Sequence, residues 1–163
     1  MGPRTNCQPF SLACLLVAVV LFTACSYLTD FVVVNKSDRP IEVRYKLRKP
    51  ASPLSPSRIP LLPGVKSTSE LDQQVPWREL GSSEYAFDAD KRVVSVSVLP
   101  GQVLRIAQYN LQDGNMTNAE QAKMFFVEEL AVSGNNGEVI KNGDDVYESF
   151  VPESTNIRAL VYR

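Results

Sequence analysis

Apolar and polar positions alternate most strictly between Ile41 and Arg48, where Ile41, Val43, Tyr45 and Leu47 interleave with Glu42, Arg44, Lys46 and Arg48. A period of two sends the two sets to opposite faces of a pleated strand. The segment therefore predicts a half-buried strand with a charged outer face. Ahead of it, Phe31-Val32-Val33-Val34 is a β-branched run that predicts another strand. Asn35 to Pro40 holds Asn, Ser, Asp and Pro, which favour bends. The two strands are expected to pair as a hairpin. Five prolines at 50, 53, 56, 60 and 63 then exclude helix and disfavour any central strand. That stretch, 50–63, predicts a rigid, extended crossover between sheets.

Beyond it the pattern stays that of short strands. Val65–Leu71 and Val75–Leu80 are weakly apolar, and Glu84–Asp88 alternates. Val93–Leu99 is valine-rich, Pro100-Gly101 breaks it, and Val103–Tyr109 resumes, which predicts a hairpin or a tight corner. Thr117-Asn118-Ala119-Glu120 matches a capping box, so a short helix is expected to run to about Lys123. Met124–Val132 reads as a strand, and Ser133–Gly137 joins it to Val139-Ile140 with hairpin chemistry. Lys141–Asp145 is a turn. Val146–Val151 and Ile157–Tyr162 are expected to close the chain as two strands. Eight or nine short strands with little helical periodicity predict an all-β sandwich of the immunoglobulin or fibronectin type. A small barrel is the alternative. There is no internal repeat and no sign of a second domain.

The amino-terminal segment differs from the rest. Met1–Phe10 is polar and carries Arg4, Leu12–Phe22 is an unbroken run of 11 apolar residues, and Thr23-Ala24-Cys25 follows. A positive start, an apolar run and small residues are the layout of a secretory signal. Leu21-Phe22-Thr23-Ala24-Cys25 resembles the lipobox of bacterial lipoproteins, with Phe22 where that family usually has Leu. The resemblance implies cleavage before Cys25, removal of a 1–24 signal peptide, and diacylation of Cys25, a palmitate-type lipid attachment. It implies a location in the cell envelope. Ser26, where Asp would resemble an inner-membrane retention signal, favours the outer membrane in a cell with two. An uncleaved single-pass anchor is the alternative, because Phe10–Leu28 is 19 residues with few polar ones and no charge, close to a bilayer span.

Composition then narrows the chemistry. The chain has no histidine, and its three cysteines all lie at or before position 25. The 139 residues from Cys25 to Arg163, expected to be one domain, thus have no internal disulfide and no thiol beyond Cys25. Histidine-based acid–base chemistry, Ser-His or Cys-His nucleophiles and thiolate metal sites are excluded. No Gly-rich phosphate loop occurs. The expectation is a non-enzymatic domain with no cofactor and no metal. Sixteen basic and 18 acidic residues remain after the signal, a balance that gives no reason to expect nucleic-acid binding.

What remains are candidate contact residues. Eight basic residues fall between Lys36 and Lys66, and nine acids between Asp113 and Glu153. Arg44, Lys46 and Arg48 share one strand face and form a candidate membrane or partner face. The bland reading of the same residues is an edge strand protected by its charges. Trp77, the only tryptophan, with Asp88 and Asp90, is the candidate for a carbohydrate-binding or carbohydrate-active site. The bland readings are a core tryptophan and two solvated turn acids. Asp144-Asp145 lacks the ligand spacing of a calcium loop. Asn35-Lys36-Ser37 and Asn115-Met116-Thr117 match the glycosylation pattern. The expected role is a membrane-anchored binding or assembly module with an envelope protein as partner, or a subunit of an envelope complex.

Overall fold

The computed structural model describes residues 28–49, 63–71, 73, 75–110 and 117–163. The signal segment, Cys25, Asn115 and the proline-rich stretch apart from Pro63 lie outside the described residues. The described chain is mostly β-strand, arranged in two sheets, as the pattern predicts. One sheet has the order β10 (Val151–Ser154), β11 (Ile157–Tyr162), β1 (Leu28–Asn35), β7 (Gln102–Asn110), β3 (Gly64–Ser67) and β4 (Arg78–Glu79). The other runs β5 (Tyr85–Asp88), β6 (Val93–Val98), β2 (Ile41–Leu47), β8 (Val127–Gly134) and β9 (Gly137–Asn142). Two short helices, α1 (Asn118–Met124) and α2 (Asp144–Glu148), and a 3-10 turn at Thr68–Glu70 complete it. The weak segments around Val65 and Val75 each yield a short strand, β3 and β4.

β2 keeps the alternation read from its sequence: Ile41, Val43, Tyr45 and Leu47 are buried, while Glu42 and Arg44 are exposed. Val94, Val96 and Val98 from β6 and Leu130 and Val132 from β8 join them in one core. Phe31 and Val33 from β1 and Leu104 and Ile106 from β7 close that core from the other sheet. Each fully buried side chain of this size contributes about 1.5–3 kcal/mol. At one end Phe31, Tyr109, Phe125, Phe126, Tyr147 and Phe150 form an aromatic plug, with ring centroids 4.7 Å apart for Phe31 and Phe125. The Arg158 guanidinium lies over Tyr147 and donates to the Phe150 carbonyl.

Three sequence expectations change. β1 and β2 do not form a hairpin, because they belong to different sheets. β1 instead pairs in parallel with β11 and antiparallel with β7. Phe31 through Val34 are all buried, so both faces of β1 are covered, which its unbroken apolar run already encodes. The turn between the sheets is held by Asn35, itself fully buried. Its amide nitrogen donates to Arg39 and Val98 carbonyls at 2.8 and 2.9 Å, and its oxygen accepts from the Ser37 amide and hydroxyl. Those bonds leave no free amide hydrogen, so the first glycosylation match is a structural turn.

Second, β2 is no edge strand, since β6 and β8 flank it on both sides. Third, the strand expected at Val146–Val151 is α2 followed by β10. Val146 and Tyr147 are buried neighbours on that helix, and Asp144 and Asp145 lie in its first turn, where the helix dipole favours negative charge. α1 forms where the capping box predicts. Thr117 accepts from the Glu120 amide, and the Glu120 carboxylate accepts from the Thr117 amide. Pro100-Gly101 is the tight corner between sheets rather than a hairpin, with Gly101 at φ +71°.

Candidate functional site

The charged face of β2 lies in the middle of the five-stranded sheet. Arg44 sits between Ser95 on β6 and Ala131 on β8. The same cross-sheet row continues to Ala86 on β5 and Ile140 on β9. Its two direct neighbours are small, Arg44 is exposed, and among the described residues it has no ion pair. Lys46 and Arg48 differ. Lys46 Nζ donates to Glu129 at 2.7 Å and lies 3.8 Å from Glu128. Arg48 donates to the Lys123 carbonyl at 2.6 Å and lies 3.9 Å from Asp144. The hydrogen bond to Glu129 holds the Lys46 ammonium above its ordinary pKa, aided by Glu128 and Glu129 charge and opposed by burial and Arg92.

The basic and acidic blocks that are separate in sequence therefore meet in the fold. Glu128, Glu129 and Asp144 come from the acidic half and face Lys46, Arg48 and Arg92 from the basic half and its neighbour. Exposed pairs of this kind stabilise by about 0–1 kcal/mol. Their larger effect is on the surface potential, because they leave Arg44 as the uncompensated cation of the expected stripe.

Trp77 occupies the other sheet. It packs on the outer side of β3, where a Cβ on Gly64 would lie 3.2 Å from its Cβ. Its indole nitrogen donates to Asp30 Oδ2 at 2.9 Å. Gln108 donates to Asp30 Oδ1 at 2.9 Å, and Arg105 lies 3.7 Å from that oxygen. The ring meets Lys66 at 4.7 Å and Arg105 at 5.1 Å from its centroid. Burial pulls the Arg105 guanidinium below its usual pKa, while the Asp30 and Glu79 charges hold it up. Trp77 thereby seals a second apolar layer of Val32, Val34, Val103, Ile157 and Ala159.

Asp88 and Asp90 stand at the β5–β6 connection. Asp88 accepts from the Lys91 amide at 2.9 Å and lies 3.4 Å from Lys91 Nζ. That backbone bond, with the lysine, keeps the Asp88 carboxyl below the usual carboxylate range. Asp90 is exposed. The acids belong to the edge of the five-stranded sheet, whereas Trp77 packs on the outer layer of the six-stranded one. Among the described residues no three Asp, Glu, His or Cys side chains converge as a metal site would require.

Sequence reasoning passed over Asp30 and Arg105. Their signal was a lone charge inside an otherwise apolar strand, which needs a partner when buried. It also passed over Leu28 and Met124, about half exposed despite their apolar character. No family model matches the chain, and neither a curated protein nor a solved structure matches it.

Proposed function

We propose that the chain is a cell-envelope lipoprotein, anchored through Cys25, whose β-sandwich of immunoglobulin-like type acts as a non-enzymatic binding or assembly module. The observation that carries this reading is the position of β1. It starts at Leu28, three residues after Cys25, and runs through the middle of the six-stranded sheet. An anchor at Cys25 would be joined to the core with almost no slack, about 10 Å of extended chain.

The end of the sandwich where β1 begins suits a membrane surface. Leu28 pairs with Asn110, and the neighbouring Tyr109 hydroxyl donates to the Met124 carbonyl at 2.6 Å. Arg48 bonds the Phe126 and Lys123 carbonyls at the same end, and Lys49 follows it. Leu28 and Met124, both about half exposed, together with Lys49 and Lys123 fit the headgroup boundary of an anionic leaflet, where each free cation adds about 1 kcal/mol. Arg44 and the row of small residues around it face sideways from that end and would be available to a protein partner. The carbohydrate reading has less support, because the Trp77 indole N–H and ring are already engaged by Asp30, Lys66 and Arg105.

The test is depth of insertion. The full chain would carry a fluorophore at Met124→Cys or, at the opposite end, Leu99→Cys, and be reconstituted in anionic vesicles containing brominated lipid. Quenching at position 124 and none at 99 is expected. Equal quenching, or none at either, rejects the end-on placement, and flotation of the vesicles reads independently whether the chain is anchored.

A further inference from the structure

Among the described residues the two sheets have four edges, and three of them are blunted. β4 is two residues long. β10 has four residues, contains Pro152 and has an irregular register. β5 has four residues and is bounded by the carboxylates of Glu84 and Asp88. Short length, proline, bulges and charge are the usual defences against strand addition. β9 has few of these. It pairs with β8 over all six residues, has no proline or bulge, and exposes Ile140 to 57 % and Val139 to 38 %.

The hairpin geometry says which backbone groups are free. Gly134 and Gly137 close the two-residue turn Asn135-Asn136, so they form a hydrogen-bonded pair. Alternation then turns Val139 and Lys141 toward β8 and leaves the N–H and C=O groups of Glu138, Ile140 and Asn142 pointing out of the sheet.

We propose that β9 is a pairing edge that takes the β9 of a second copy of this chain, antiparallel, about a two-fold axis at Ile140. The sequence of β9 is self-complementary in that register. Ile140 meets Ile140, Glu138 meets Asn142, and Val139 packs on the aliphatic stem of Lys141. All of the outward backbone groups of Glu138, Ile140 and Asn142 find partners. An axis at Glu138 or Lys141 would set like charges against each other, which is destabilising. An axis at Val139 would leave Asn142 beyond the paired segment. The result is an isologous dimer with one continuous sheet through both copies. Pairing through β9 does not depend on the lipid anchor.

The experiment is sedimentation of the full chain in density-matched detergent, with two variants. Ile140→Pro removes an N–H that points away from β8, so the hairpin should survive while pairing is blocked; Ile140→Lys puts like charges together without touching the backbone. A dimer is expected for the parent chain, with about a tenfold or greater rise in its Kd in both variants and unchanged unfolding midpoints. Ile140→Cys treated with a short bismaleimide should give a cross-linked dimer, whereas Val151→Cys on the proline-bearing edge should not. A monomeric parent chain, a dimer that persists in both variants, or Ile140→Cys coupling to a different protein in native membranes would each overturn the proposal.

Discussion

Tyr162, at the end of β11, donates its hydroxyl to the carbonyl of Gly137 in the opposite sheet, 2.8 Å away. The β8–β9 hairpin is tied to the last strand of the chain by this bond. Space for the ring exists only because position 134 is glycine, where a Cβ would lie 2.9 Å from the hydroxyl and 3.0 Å from both Cε1 of Tyr162 and Cγ2 of Ile41.

Gly134→Ala should therefore destabilise the fold by about 1–3 kcal/mol through overpacking. Tyr162→Phe should cost about 0.5–1.5 kcal/mol for the lost bond. The double variant should lose less than the sum, since the hydroxyl is one of the atoms the new methyl meets. Urea unfolding of the four proteins measures this, and strict additivity would count against the contact.

Asn35 is the polar group on which the inter-sheet turn depends. Asn35→Ala should cost about 1–3 kcal/mol, because the Arg39 and Val98 carbonyls and the Ser37 amide lose their buried partner. Asn35→Asp should be worse near neutral pH, since a carboxylate would face two carbonyl oxygens, and should recover partly on acidification. Unfolding midpoints at two pH values separate the cases. Equal stability of the Asp variant and the parent would contradict the assignment of amide donor and acceptor.

Trp77 reports on Asp30 directly, being the only tryptophan in the chain. Asp30→Ala should leave the Trp77 N–H without its acceptor and the buried Arg105 without its nearest anion, at a cost of about 2–4 kcal/mol. Tryptophan emission should shift to the red as the ring loosens from Gly64 and Arg105. Emission identical to the parent would show that the ring is not held by Asp30.

Part of the pH dependence follows from exposed charges. Glu84 is held below the usual carboxylate range first by Arg78, Asp88 by the Lys91 amide, and Glu120 by the Thr117 amide. A carboxyl whose folded pKa is depressed stabilises the fold above its unfolded pKa and ceases to do so as pH falls through the folded value. Lys46, raised first by Glu129, stabilises below its ordinary pKa and loses that contribution as pH rises beyond it. Stability should be level between about pH 5 and about pH 10 and fall on both sides. Asp88→Asn and Glu120→Gln should flatten the acid limb, and an unchanged limb in both would refute these assignments.

Local pattern carried the strands but not their partners. The Ile41–Arg48 alternation and the Thr117–Glu120 capping box are each decided by neighbours in sequence, and both appear as read. Asn35–Pro40 is a bend as its residues require, yet which sheet receives β2 is set by contacts with Val96 and Leu130, far along the chain. Val146, Tyr147 and Phe150 satisfy either a short strand or a helical turn, and burial against Gln121 and Phe125 decides for the helix. The same limit applies to the candidate face. Arg44 and Lys46 share a side of β2 and Arg48 follows its last residue, but only the fold brings Glu128, Glu129 and Asp144 to two of them. Val139-Ile140 was legible as strand, whereas its place at an open edge was not.

The most direct measurement of the proposed role is lipid labelling and fractionation of Cys25→Ser beside the parent chain in cells. The account predicts that the parent incorporates labelled palmitate and stays with membranes, while Cys25→Ser takes up no lipid and leaves the membrane fraction. If Cys25→Ser remains in the membrane as firmly as the parent, the lipid is not the anchor, and a single-pass helix from the apolar segment takes its place.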